Sequence, residues 1–155
     1  MTIPRKFKVG YAHHVFNRGN QKEKIFLQPK DYGVFLKQLH KYSDIYECNI
    51  LAYCLMPNHY HLLLQPMTLN SIPNTMQRTT TMYSKYLKIE HKWVGHVFQG
   101  RYQNKIVNTV KYLDDLVLYF RENPKELDLT DPNGDYRWLK IYDERISIQR
   151  LTTPG

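Results

Sequence analysis

The chain has 155 residues, 42% of them apolar, which suits one domain with a buried core and excludes a disordered chain. A formal charge of +8 fits an acidic partner such as nucleic acid without requiring one. No apolar run reaches the ~18 residues that would cross a bilayer, and the basic N-terminus lacks a secretory apolar segment.

The two cysteines, Cys48 and Cys54, sit in an apolar stretch and make neither a disulfide framework nor a thiolate metal site. A cytoplasmic protein with no membrane partner is the expectation. Thirteen tyrosines could fill a core or stack on unpaired bases, so no tyrosine stands out by presence alone.

The first element, "VGYAHHVFNRGN", reads as a strand ending in a turn at Arg18-Gly19-Asn20. From Pro29 to about Tyr46, Phe35, Leu39, Tyr42 and Tyr46 recur at helical steps. "CNILAYCLM" is a buried strand, Pro57-Asn58 a tight turn, and "HYHLLLQP" its antiparallel partner. Asn70 or Ser71 caps a second helix with Pro73 in its first turn. "KWVGHVFQGRYQNKIVN" is a loop followed by an extended segment. Thr109 caps a third helix, "VKYLDDLVLYFREN", stopped by Pro124.

Turns and a short final element follow, and the last ten or so residues are expected to be loose. The order strand, helix, hairpin, helix, strand, helix predicts an α+β fold. An antiparallel sheet covered by helices, with a ferredoxin-like split βαβ topology, is the natural arrangement.

In "PNHYHLLL", strand alternation points His59 and His61 the same way, and Tyr60, Leu62 and Leu64 the other way. Two imidazoles about 7 Å apart along a strand can converge on one ion, or they can be two surface histidines. No Cys or carboxylate lies at zinc-finger spacing, so any such ion would keep open positions and could polarise a phosphate. On the third helix, Tyr112, Leu116, Tyr119 and Asn123 share one face, and Leu113, Val117 and Phe120 look like the core stripe. Tyr119 and Asn123 are one turn apart. A hydroxyl nucleophile and an amide ligand could therefore address one small volume; equally, they could be a boundary tyrosine and a helix-ending asparagine.

"MPNHYHLLLQP" resembles the histidine–hydrophobic–histidine signature of HUH single-strand endonucleases. "FNRGNQKEKIF", "GHVFQGRYQNKIV" and "YLDDLVLYFRENP" stand in the order and spacing of bacterial single-tyrosine transposases, and the REP-associated tyrosine transposases are the branch most resembled. The similarity spans about Tyr11 to Pro124 and resumes at "DYRWLKIYDE". A lone His-x-His is weak; four segments in register are specific.

The resemblance implies a transposase domain over residues 1–127, with 128–155 as a partly ordered extension of the same domain. It implies metal ligands at His59, His61 and Asn123 and a nucleophile at Tyr119, with Tyr112 as the decoy two turns earlier. It implies Mg²⁺ or Mn²⁺ as cofactor and a 5′-phosphotyrosine intermediate on single-stranded DNA carrying a hairpin. Candidate DNA contacts are Arg18, Lys22, Lys24, Arg78, Lys85, Arg101, Tyr102 and Lys105, grouped in "NRGNQKEK", "QGRYQNK" and the second helix.

A monomer is expected from that branch, against the homodimers of insertion-sequence relatives. After Pro124 the family's usual run is replaced by Lys125-Glu126-Leu127, which bears on DNA contacts near the helix end. Rival readings are a non-catalytic single-strand DNA- or RNA-binding module, a replication initiator or relaxase, and a domesticated nuclease that no longer transposes.

Overall fold

The computed structural model describes residues 6–142. Its elements run β1 (Ala12–Arg18), α1 (Pro29–Ile45), β2 (Cys48–Met56), β3 (His59–Pro66), α2 (Ser71–Glu90), β4 (Gln103–Val107), α3 (Val110–Glu126) and β5 (Leu139–Ile141). A short 3-10 turn at Asn20–Lys22 follows β1. The strands form one antiparallel sheet in the order β4-β1-β3-β2-β5. Its first four strands have the ferredoxin-like order, and β5 adds an edge strand beside β2. The α+β expectation is met, and the short final element is β5. The expectation of a loose C-terminal end lies outside the described residues.

Alternation along the strands divides the core between the two faces. Val15, Tyr53, Leu55, Tyr60, Leu62 and Leu64 pack with Phe35 and Leu39 of α1 and with Ile72, Met76, Tyr83 and Leu87 of α2. Ala12, Ala52, Cys54, Met56, Leu63 and Val107 pack with Leu113, Leu116 and Phe120 of α3. The register of β2 on β3 shifts between Ile50 and Ala52. Leu51 is the extra residue, so it and Ala52 both turn to the α3 side.

The helix ends follow their local chemistry. At the start of α1, Gln28 and Asp31 form a capping box and Pro29 takes the first turn. Thr109 Oγ1 accepts from the Tyr112 N–H at 3.1 Å and caps α3. At α2 the capping position is Asn70, but its side chain makes no capping bond. The Ser71 hydroxyl instead accepts from the Thr68 N–H and donates to the Glu47 carbonyl.

Two expectations about α3 are corrected. Proline fixes a φ that suits a helix and only lacks an N–H, so Pro124 is buried inside α3 and the helix continues to Glu126. It ends where Asp128 takes a left-handed backbone, φ 56°. The core stripe is Leu113, Leu116 and Phe120; Val117 is only partly buried. Elsewhere, α1 stops one residue short of Tyr46.

Candidate active site

The turn at Pro57-Asn58 leads directly into His59, and the pleat of β3 then turns His59, His61 and Leu63 toward α3. On the neighbouring strand β1, Arg18 lies opposite His59, Phe16 opposite His61 and His14 opposite Leu63. The Leu63 end of this face joins the apolar cluster under α3. The His59 end opens into a cleft of about 780 Å³.

The two motif imidazoles stand with centroids 5.1 Å apart and planes at 85°. His59 Nδ1–H donates to Asn58 Oδ1 at 2.7 Å, so its Nε2 carries the lone pair. That Nε2 lies 3.5 Å from the Asn123 side-chain amide. The two ends of an amide are nearly interchangeable in position, so a half-turn brings Oδ1 to the same point. Asn123 is buried, one turn beyond Tyr119 on α3. The Tyr119 ring meets His61 edge-on, centroids 5.1 Å apart and planes at 88°, yet stays 46% exposed at the cleft. Phe120 turns inward beneath it and touches both His61 and His14.

These imidazoles are neutral at pH 7. Burial pushes His61 down to about 3, with the nearby His14 and His59 adding to it. Burial, then the Lys105 charge, pushes His14 down to about 4. Burial also lowers His59. Their lone pairs therefore face no competition from protons.

The residues present suit a divalent ion. His61 Nε2 is buried with no hydrogen-bond partner among the described residues, and its ring stands beside that of His59, whose Nε2 faces the Asn123 amide. Two imidazoles and an amide oxygen form a donor set for a hard or borderline ion with positions left for substrate. Among the described residues no group of three His, Cys, Asp or Glu side chains is arranged to hold an ion, and the polar group beside His59 is the Asn123 amide.

Of the basic candidates, Arg18, Lys22 and Arg101 line the cleft. Arg18 Nε donates to Gln99 Oε1, which joins β1 to the loop before β4. Lys22 is held out by a strained turn in which Gln21 and Lys22 both have positive φ, 55° and 59°. Gly19 is required there: a Cβ would lie 2.1 Å from the Glu23 carbonyl oxygen. Lys105 projects from β4 on the same face, its Nζ 5.7 Å from the Phe16 ring centroid. Tyr102 is half-buried in a small hollow next to Arg101 and Asn17.

Lys24, Arg78 and Lys85 do not line the cleft. Arg78 and Lys85 lie on α2, behind the sheet, and Arg78 stacks over Tyr42 at 5.3 Å. Tyr112 packs against the apolar cluster near the start of α3, away from the histidines. Sequence reasoning did not single out His14, Asn58 or Gln99. Asn58 adjoins the motif and was open to notice, whereas His14 reaches His61 only through the strand register.

Comparison with known proteins identifies the chain as a DNA-processing enzyme. The IS200-like transposase profile matches residues 7–123, and the chain belongs to that family. Among solved structures, a REP-associated tyrosine transposase bound to a REP hairpin matches with a TM-score of 0.73 and 15% identity, covering 90% of this chain and 82% of that one. A transposase candidate from Deinococcus radiodurans R1 matches with a TM-score of 0.53 and 15% identity, covering 79% of this chain and 97% of that one. At that identity the likeness is one of fold. No curated protein matches the chain. Among the described residues no helix is long and apolar enough to cross a membrane.

Proposed function

We propose that the chain cleaves and rejoins single-stranded DNA through a covalent link to Tyr119. The Tyr119 hydroxyl attacks a phosphodiester in line. Its oxygen–phosphorus bond forms as the bond to the 3′-oxygen breaks, and the proton lost by tyrosine balances the one gained by the departing 3′-hydroxyl. The products are a 5′-phosphotyrosine and a free 3′-hydroxyl. The phosphodiester energy is retained, so a different 3′-hydroxyl can reverse the step and complete strand transfer.

His59, His61 and Asn123 would hold Mg²⁺ or Mn²⁺, which supplies charge stabilisation at the non-bridging phosphate oxygens. Arg18, Lys22 and Arg101 neutralise the backbone on either side, with Lys105 extending the basic path.

The observation that carries this reading is the convergence of one exposed tyrosine on two neutral imidazoles and a buried amide. A monomer as the working unit follows from the resemblance to the REP-associated branch. The solved relative's REP hairpin makes hairpin DNA the substrate of first choice.

The test is a denaturing gel of protein incubated with Mg²⁺ or Mn²⁺ and labelled single-stranded DNA carrying the hairpin that flanks its own gene. A covalent band in the wild type, lost in Tyr119→Phe and His59→Ala and kept in Tyr112→Phe, is the expected result. Binding with no adduct under any metal would instead assign a DNA-binding module.

A further inference from the structure

We propose that His14 is a positioning residue: it holds His61 in the tautomer protonated at Nδ1 and thereby leaves Nε2 a bare lone pair, free to bind an ion. The ligand half of this rests on the metal reading above; the tautomer half does not. His14 and His61 are both buried, and His14 Nε2 lies 3.0 Å from His61 Nδ1. The rings are nearly parallel, 5.2 Å apart with planes at 26°. Phe16, at 4.4 Å, and Phe120, at 5.8 Å, wall His14 in and limit its rotation.

A bond between two neutral imidazoles needs one donor and one acceptor, which leaves two arrangements. In one, His14 Nε2–H donates to His61 Nδ1. His61 then carries its own hydrogen on Nε2, a buried donor with no acceptor among the described residues. In the other, His61 Nδ1–H donates to His14 Nε2 and His61 Nε2 is a bare lone pair; His14 then carries its hydrogen on Nδ1, which is not among the buried side-chain atoms left without a partner. Orphaned buried N–H groups are rarer than under-used acceptors, so the second arrangement is favoured.

His59 supports the assignment independently. Its Nδ1–H is spent on Asn58 Oδ1, and its Nε2 faces Asn123. Both motif histidines therefore use an outer partner on Nδ1 and keep Nε2 as a lone pair, the arrangement that hydrogen-bond partners of metal-ligating histidines impose. The partners differ, an amide oxygen for one ring and an imidazole for the other.

The test uses the intact ¹⁵N-labelled protein without metal, and long-range ¹H–¹⁵N spectra of its histidines. The expected result is His61 protonated at Nδ1. His14→Phe keeps a ring but removes the acceptor; His14→Gln keeps an acceptor. His14→Phe should mix the His61 tautomers and weaken Mn²⁺ binding roughly 10- to 100-fold, the usual effect of losing such a partner. His14→Gln should restore affinity to within a few-fold of wild type. Thermal midpoint and hairpin binding in EDTA check that both variants fold.

Wild-type His61 protonated at Nε2 would overturn the proposal, and that measurement needs no variant. So would a folded His14→Phe with unchanged tautomer and unchanged Mn²⁺ affinity. A wild type that binds no Mn²⁺ but keeps His61 protonated at Nδ1 would overturn the metal reading and the ligand half, and would support the tautomer half.

Discussion

Asp31 is fully buried where the start of α1 meets the end of α2, and its carboxylate is surrounded by donors. Its Oδ2 accepts from the Leu27 N–H at 2.9 Å and the Gln28 N–H at 3.2 Å. Its Oδ1 accepts from the Tyr86 hydroxyl at 2.6 Å, and His91 Nε2 lies 2.9 Å from both oxygens. Asp31→Asn keeps the shape and removes the charge. The amide can keep its oxygen toward the two backbone N–H groups and offer Nδ2 to Tyr86, whose hydroxyl rotates to accept. His91 loses a charged acceptor, and the remaining bonds become neutral ones.

Hydrogen bonds to charged groups contribute roughly 1.5–3 kcal/mol each, so a loss of about 2 kcal/mol is expected for Asn. Asp31→Ala strips every partner and should cost about 3–5 kcal/mol. For a domain of this size the Asn variant should melt roughly 4–8 °C lower.

The pH dependence has a definite sign. Burial raises the Asp31 carboxyl, but the bonds from His91, Tyr86 and Leu27 outweigh it and hold the group below its ordinary value. The unfolded chain therefore takes up this proton at higher pH than the folded one. The stabilisation is fully present above the unfolded value of about 3.9 and is lost as pH falls through the folded value. Urea unfolding of both proteins from pH 7 to pH 3, followed by circular dichroism, measures it. A gap of about 2 kcal/mol at pH 7 that narrows below pH ~4 is the expected result. Equal stability at pH 7, or a gap that persists undiminished in acid, would refute the reasoning.

Gly19→Ala should force the Lys22 turn to shift, because the added methyl meets a backbone carbonyl; a loss of about 1–3 kcal/mol and weaker hairpin binding are expected in unfolding and gel-shift assays. Neutralising Arg18, Lys22 or Arg101 singly should each lower the slope of log affinity against log salt by about one, whereas Arg78→Gln, behind the sheet, should leave the slope unchanged. Burial pushes the Cys48 and Cys54 thiols up to about 12, so neither should react with a disulfide reagent at pH 8 until the chain unfolds. Phe120→Ala should cost about 3–5 kcal/mol and loosen His61 and His14 together, read as lower stability and broadened histidine resonances.

The strands and helices were legible because their signals are local. Alternation put His59 and His61 on one face, and the four-residue step put Tyr119 and Asn123 on one side of α3. What lay beyond local reading was register. Nothing in "AHHVFNR" says that His14 rather than His13 meets His61; the opposite face takes His13, whose ring is fixed by the Tyr11 carbonyl and the Lys8 N–H. The Leu51 bulge is equally silent in sequence, and so is the choice of Leu116 over Val117 as the buried residue. Proline at 124 was read as a stop because its usual effect is to end helices, yet here the lost bond falls in the last turn, where the helix can spare it. Charge gave the weakest guidance: lysines and arginines look alike in sequence whether they line the cleft or lie behind the sheet.

The two faces of the sheet are unequally covered. Among the described residues seventeen buried side chains gather with α1 and α2, against nine with α3. Cooperative units open in order of their stability, and the thinner layer opens first. The helix that carries Tyr119 is therefore expected to open first, with its amides exchanging with solvent before those of α1 or α2. A strand joined to Tyr119 would then be held by the most thinly covered layer of the protein, and the histidine platform by the sheet beneath it.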